Sequence, residues 1–155
     1  MKYNKSIALT TCLVSTALLT GCPGGSSNSN NNNNNNNNGT APGSLQGLTI
    51  NVTVTGGNKP FSSSGSYTFT PTSGNGNSGT YSLQGQGGVQ SNVGSYTYSA
   101  NGNTGTLTET EQSGTLVNNT LTFQTSNSGT IYSSSPPGTG PQDVGGNQTG
   151  NFTIN

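Results

Sequence analysis

Short runs of alternating apolar and polar residues, each ended by glycine or proline, constrain the fold of this chain more than any other feature. Leu48, Ile50, Val52 and Val54 occupy every second position, with threonine or asparagine between them. This period of two is typical of a half-buried β-strand, whose successive side chains point to opposite faces. No segment shows the 3.6-residue periodicity of an amphipathic helix. The pattern therefore predicts an all-β fold.

The same alternation recurs along the chain and predicts the further strands. They lie at 66–70, 79–84, 95–100, 104–111, 115–117, 121–125, 129–133 and 151–154. Eight or nine strands with short connections in about 110 residues fit an antiparallel meander. We expect a small barrel or a curled two-layer sandwich of about eight strands, preceded by a disordered tether. The strand pattern is loosely similar to that of lipocalin-like envelope domains, and this resemblance implies shape alone.

Two short polar segments predict turns between the central strands. Asn101-Gly102 is a strong signal for a two-residue hairpin turn, in which Tyr98 would face Gly105 across the strand pair. An aromatic ring over a strand glycine is a known device of β-sheets. Asn118-Asn119 is interpreted as a second turn of this kind. Residues 94–133 would then form five antiparallel strands.

The scarcity of charge excludes several classes of function. Only 4% of residues are charged, and the chain contains neither His nor Arg. After Cys22 one lysine, Lys59, and three acidic residues give a formal charge of −2. This charge is too small to attract nucleic acid, and the absence of Arg removes the usual phosphate-binding side chain. Without His, a Ser-His-Asp triad or a typical zinc site is also excluded, so we expect no enzyme, cofactor or metal.

The N-terminal segment has the composition of a secretory signal. Lys2 and Lys5 give it a positive start, and an apolar stretch follows that is too short for a spanning helix. The sequence Leu19-Thr20-Gly21-Cys22 resembles the lipobox of bacterial lipoproteins at all four positions. This resemblance implies cleavage between Gly21 and Cys22 and lipidation of the Cys22 thiol. Pro23 in place of Asp implies, by resemblance to Gram-negative lipoproteins, the outer membrane as the destination.

The sequence thus divides into three regions: a signal peptide at 1–21, a lipidated Cys22 with a tether at 22–44, and a β domain at 45–155. The tether contains only small and polar residues, including nine consecutive asparagines at 30–38. It has too few apolar side chains to compensate the entropy of ordering. We interpret it as a flexible spacer, and the acyl chains on Cys22 as the membrane anchor.

Two carboxylates, Glu109 and Glu111, conflict with the alternation. They share a strand face with Leu107, which belongs to the predicted core. The pair could lie in solvent at a hairpin tip, or a bulge could reverse the register. A third possibility is that both line a rim or cavity that binds a cation or amine. The first two alternatives avoid burying an unpaired carboxylate, which is costly. Lys59, beside Pro60 in a glycine-rich turn, is expected to be solvated.

The sequence favours a non-enzymatic, lipid-anchored envelope protein whose β domain is a structural or interaction module. A protein or glycan partner is possible, and none is identified. The alternative is a lipocalin-like binder of a small molecule or glycan, which requires a cavity inside the barrel. A filled interior would argue against that binder. An enzyme would be favoured only by a cleft in which Glu109 or Glu111 has a raised pKa.

Overall fold

A computed structural model describes residues 39–138 and 145–155 of the chain. The predicted signal, the lipobox with Cys22 and the asparagine tract lie outside the described residues. In the part of the chain that is described, no helix is long and apolar enough to cross a membrane.

Eight antiparallel strands form a closed barrel in simple chain order. Each strand pairs with the next, and β8 returns to pair with β1. The predicted all-β meander of about eight strands is confirmed, and it closes as a barrel. The strands are β1 (Ile50–Gly57), β2 (Gly65–Gly74), β3 (Ser78–Gln86), β4 (Asn92–Asn101), β5 (Thr104–Glu111), β6 (Leu116–Phe123), β7 (Ser128–Ser135) and β8 (Gly146–Ile154).

The alternation seen in the sequence places the apolar side chains inside the barrel. Aromatic rings interlock there: Phe69 stacks on Tyr81 with ring centroids 4.9 Å apart, and Phe123 meets Phe152 edge to face, also at 4.9 Å. Such contacts add to the stabilisation from burial alone. Tyr132 points outward with 47% of its surface exposed, while its neighbour Ile131 is buried. Adjacent residues of a strand point to opposite faces, so only one of this pair can face the core.

The hairpin at Asn101-Gly102 forms, with a register two residues from the predicted one. Asn101 pairs with Thr104, so the turn is made by Gly102 and Asn103, and Gly102 has φ of 59°. A shift of two residues keeps every side chain on its predicted face. Tyr98 therefore pairs with Leu107 instead of facing Gly105 directly.

The ring of Tyr98 nevertheless covers Gly105, as the sequence suggested. A Cβ atom added to Gly105 would lie 2.9 Å from Tyr98 Cε2. The ring reaches this position diagonally across the strand pair, which long side chains can do. This contact leaves no room for a larger residue at position 105.

The prediction of a turn at Asn118-Asn119 is wrong. Both residues lie within β6, and the turns flanking this strand are at 112–115 and 124–127. In the first of these turns Gly114 takes a φ of 90°, a conformation that favours glycine. Residues 94–133 therefore contain four strands rather than five.

The segment that precedes β1 closes one end of the barrel, which we call the base. Leu45 is completely buried, and Ala41 is 6% exposed. The Ala41 and Leu45 amides donate hydrogen bonds to the carbonyls of Gly102 and Gly76 in two loops of the base. The Tyr98 hydroxyl donates a hydrogen bond to the Pro42 carbonyl at 2.9 Å. Among the described residues, contacts with the barrel also involve Gly39, whose backbone lies against that of Thr125 in the loop after β6.

Candidate ligand-binding site

The end of the barrel opposite the base, the mouth, contains a cavity of about 490 Å³. The loops that follow β1, β3, β5 and β7 surround it, whereas the loops that follow β2, β4 and β6 lie at the base. A volume of this size falls in the range of small-molecule sites. We call it the mouth cavity. The barrel interior is thus filled near the base and open near the mouth.

The walls of the mouth cavity differ in polarity. The buried polar side chains of the described domain all belong to β5–β8: Glu109, Asn119, Ser133, Ser135 and Gln148. Apolar side chains from β2, β3 and the mouth loops line the rest, chiefly Tyr67, Leu83, Val89 and Phe61. The cavity therefore offers one polar and one apolar wall.

The polar wall arises because the inward positions of β5–β8 change character along each strand. In β7 the inward residues are Ile131 near the base and then Ser133 and Ser135 toward the mouth. In β8 the corresponding change is from Phe152 to Gln148. Strand alternation keeps all these residues facing inward, so the polar ones are buried within the barrel. The base is apolar and the mouth end is polar.

Glu109 and Asn119 form the centre of the polar wall. Glu109 is only 5% exposed, and Asn119 is 2% exposed. Asn119 Nδ2 donates one hydrogen bond to Glu109 Oε1 at 2.7 Å and another to the Leu107 carbonyl at 3.2 Å. The amide thus fixes the carboxyl group against the barrel wall. A hydrogen bond to a carboxylate is among the stronger kinds in proteins.

Burial raises the pKa of Glu109 to about 7, because a charged carboxylate loses its hydration inside the barrel. Its interactions with Tyr81 and Asn119 oppose this shift, while the nearby charge of Glu111 adds to it. Carboxyl groups with strongly raised pKa values in clefts are frequent at functional sites.

Two buried tyrosine hydroxyls, which do not line the mouth cavity, lack good hydrogen-bond partners. The hydroxyl oxygens of Tyr81 and Tyr96 are buried without a partner of hydrogen-bonding geometry. Tyr81 is nevertheless close enough to Glu109 for each group to shift the other's pKa. Burial, together with the Glu109 charge, also raises the pKa of Tyr67. Unpartnered buried hydroxyls are costly and rare in folded proteins.

Glu111 and Lys59 lie nearer the opening of the mouth cavity. The Glu111 carboxylate accepts hydrogen bonds from Asn92 Nδ2 at 3.1 Å and from Ser113 Oγ at 3.0 Å. Lys59, in the loop after β1, lines the cavity and is exposed to solvent. Among the described residues Lys59 is the one cationic side chain, and it is not among the groups that shift the pKa of Glu109.

The structure brings both sequence-predicted carboxylates to the mouth cavity. The registers β4–β5 and β5–β6 continue past Glu109 without a bulge, and Glu109 is buried rather than at a solvated tip. Of the three alternatives, the structure therefore shows the two carboxylates lining a cavity.

Sequence reasoning missed Asn119, which it placed in a turn, and also Ser133 and Gln148. Their signal is the polar residue that ends an inward-facing apolar series on each strand.

In residues 39–138 and 145–155, no three side chains of His, Cys, Asp and Glu lie together as a possible metal site. Fold and site together define an eight-stranded up-and-down β-barrel with a polar-walled cavity at one end. No family model matches the chain, and comparisons with curated proteins and with solved structures give no significant match.

Proposed function

We propose that this protein is a lipid-anchored binding protein of the bacterial cell envelope, which holds a small molecule in the mouth cavity of its β-barrel. The observation that carries the proposal is the buried Glu109 carboxyl in the wall of a cavity of about 490 Å³. A barrel serving only as a structural module would gain stability from an apolar, filled interior. A bound molecule compensates for both the void and the buried polar groups.

Anchoring through Cys22 rests on the match of Leu19-Thr20-Gly21-Cys22 to the lipobox. In the described residues, Gly39 and Ala41 contact loops at the base of the barrel, which is the end opposite the mouth cavity.

Native mass spectrometry of the full-length protein from its host envelope tests the binding function directly. We expect a co-purified molecule that dissociates from the wild type on activation. Val117 lines the cavity, so Val117→Phe should narrow the cavity and reduce or abolish this extra mass. Thr120→Phe, on the outer face of the same strand, is the matched control and should retain it. Absence of any bound mass in the wild type would contradict the proposed binding function.

The anchor is tested by replacing Cys22 with Ala. We expect the wild-type protein to fractionate with membranes and the Cys22→Ala variant to leave the membrane fraction. Protease shaving of intact cells then separates two orientations. Release of domain peptides from intact cells would indicate a surface-exposed domain, whereas cleavage only after opening of the outer membrane would indicate a periplasmic one.

An enzyme is the second candidate, because the raised pKa of Glu109 is also the property of a general acid. Catalysis by a carboxylate pair usually requires the two groups to flank the substrate. Glu109 and Glu111 instead extend from one strand, two residues apart. Recovery of the co-purified molecule chemically unchanged after prolonged incubation would support binding over catalysis.

A further inference from the structure

We propose that the ligand of the mouth cavity is a small organic cation: a protonated amine with an apolar substituent, whose ammonium group pairs with Glu109. This inference rests on the proposed binding function and specifies the chemical class of its ligand. It follows from the charge, the hydrogen-bonding capacity and the shape of the cavity.

The charge of the cavity lacks a balancing cation. Two carboxyl groups, Glu109 and Glu111, line it, and the single cationic side chain of the described residues is the solvated Lys59. Removing a carboxylate from water is costly unless an opposite charge lies close by. Asn119 gives Glu109 a hydrogen bond and no charge. A ligand cation beside Glu109 supplies the missing positive charge.

The hydrogen-bonding groups that line the cavity also favour a ligand that donates hydrogen bonds. An ammonium group has only donors, whereas a carboxylate has only acceptors. Asn119 Nδ2 and Asn92 Nδ2 already donate to protein oxygens, and Asn92 Oδ1 is buried without a partner. The cavity is therefore rich in acceptors, which suits an ammonium group and disfavours an anion.

The two walls define the shape of the ligand. The polar wall of β5–β8 places Glu109 on one side, and Tyr67, Leu83 and Val89 provide an apolar surface from β2, β3 and the following loop. A molecule with one charged end and one apolar end can contact both walls at once. The apolar part adds binding free energy by removing its surface from water.

Three probes of matched size test the proposal: 4-phenylbutylamine, 4-phenylbutanol and 4-phenylbutyrate. Their affinities for the full-length protein would be measured by isothermal titration calorimetry at pH 7 in two buffers of different ionisation enthalpy. We expect the amine to bind at least about tenfold more tightly than the alcohol, because it pairs with a buried charge. Because Glu109, with a pKa of about 7, is about half protonated at pH 7, binding of the amine should release about half a proton, and binding of the alcohol should release none.

Two variants test whether the tighter binding of the amine depends on Glu109. Glu109→Gln keeps the shape of the side chain and removes its charge. The variant should therefore bind the amine at least about tenfold more weakly, while its affinity for the alcohol should change little. Thr110→Gln, on the outer face of the same strand, is the control and should bind both probes as the wild type does.

The outcomes separate this inference from the proposed function. Equal binding of amine and alcohol, unaffected by Glu109→Gln, would overturn the cationic ligand and leave a neutral-molecule binder. If 4-phenylbutyrate bound most tightly of the three probes, the proposal of a cationic ligand would also be overturned, and Lys59 would be indicated as the binding residue. Failure of all three probes, with an uncharged or anionic molecule found by native mass spectrometry, would likewise reject the amine and retain the binding function. Failure of the probes without any co-purified molecule would contradict both proposals.

Discussion

Asn119 holds Glu109 diagonally across two adjacent strands. In the β5–β6 register Asn119 lies opposite Leu107, and Glu109 lies opposite Val117. The Asn119 amide nevertheless reaches Glu109 Oε1 at 2.7 Å while also donating to the Leu107 carbonyl. One amide group therefore satisfies two acceptors, and it orients the carboxyl group at the wall of the mouth cavity.

Replacement of Asn119 should destabilise the barrel and raise the pKa of Glu109 further. Asn119→Ala removes the hydrogen bond that favours the charged carboxylate. We expect a loss of about 1.5–3 kcal/mol in unfolding free energy at neutral pH, as for other hydrogen bonds to charged groups. Urea denaturation measures the loss, and carboxyl ¹³C NMR measures the pKa.

The control for this variant is Asn118→Ala. Asn118 belongs to the same strand and accepts a hydrogen bond from Thr108 Oγ1 on the outside of the barrel. Its replacement should leave the pKa of Glu109 unchanged. An equal rise of that pKa in both variants would show that Asn119 does not act through its contact with the carboxyl group.

The stability of the domain should fall as the pH rises from about 4.5 to about 7. Glu109 has a pKa of about 7 in the folded protein, above its ordinary value of 4.5, so the folded state binds the proton more tightly. The resulting stabilisation is complete below about pH 4.5 and is lost as the pH rises through about 7. The difference corresponds to about 3 kcal/mol. Urea denaturation across this pH range measures it.

The slope of stability with pH should disappear in Glu109→Gln. The other titratable groups that face Glu109 are Tyr67 and Tyr81, whose raised pKa values lie far above this range, and Glu111. Glu111→Gln should retain the slope, which assigns it to Glu109. A Glu109→Gln protein with the wild-type slope would contradict the assignment.

The closure of the base should depend on Leu45. This side chain belongs to the segment that precedes β1 and is completely buried. Leu45→Ala should reduce the unfolding free energy by about 2–5 kcal/mol, as expected for a large buried side chain. Gln46→Ala, at the exposed neighbouring position, should change it by less than about 0.5 kcal/mol. Equal stabilities of the two variants would show that the segment does not seal the base.

Gly105 should not tolerate even alanine. The added Cβ would lie 2.9 Å from Tyr98 Cε2, inside the contact distance of real side chains. We expect Gly105→Ala to cost about 1–3 kcal/mol, which thermal unfolding would detect. Gly43→Ala is the control, because nothing lies within 4 Å of its added Cβ. A second substitution, Tyr98→Leu, should recover part of the stability lost in Gly105→Ala.

Much of the barrel could be predicted from the alternation, because strand geometry assigns a face to every residue once the strand is recognised. The faces of the sheet predicted for Tyr98 and Leu107 were correct although the register of their hairpin was wrong, because a shift of two residues preserves the face. The turn at Asn118-Asn119 failed for a different reason. Asparagine is frequent in turns, but Asn119 finds its hydrogen-bond partners inside the barrel.

The mouth cavity was less accessible to sequence reasoning. Glu109 was recognised as a conflict because a carboxylate on an apolar face is conspicuous. Ser133 and Gln148 were not, because serine and glutamine near the ends of strands look like ordinary solvent-facing residues. Their common position in one wall depends on the register of β6, β7 and β8, in which Asn119 pairs with Ser133 and Ser133 with Gln148. Local patterns carry no information on such long-range pairing.

The pairing of β8 with β1 also determines when the barrel can form. Every other pair of neighbouring strands is consecutive in the chain, whereas Ile50 of β1 pairs with Ile154 of β8. Forming that contact closes a long loop, which makes it the slowest pairing to establish. Until β8 is in place, β1 and β7 each present an open sheet edge, the kind of surface through which chains aggregate. A nascent chain is therefore most exposed to misassembly just before its final strand emerges.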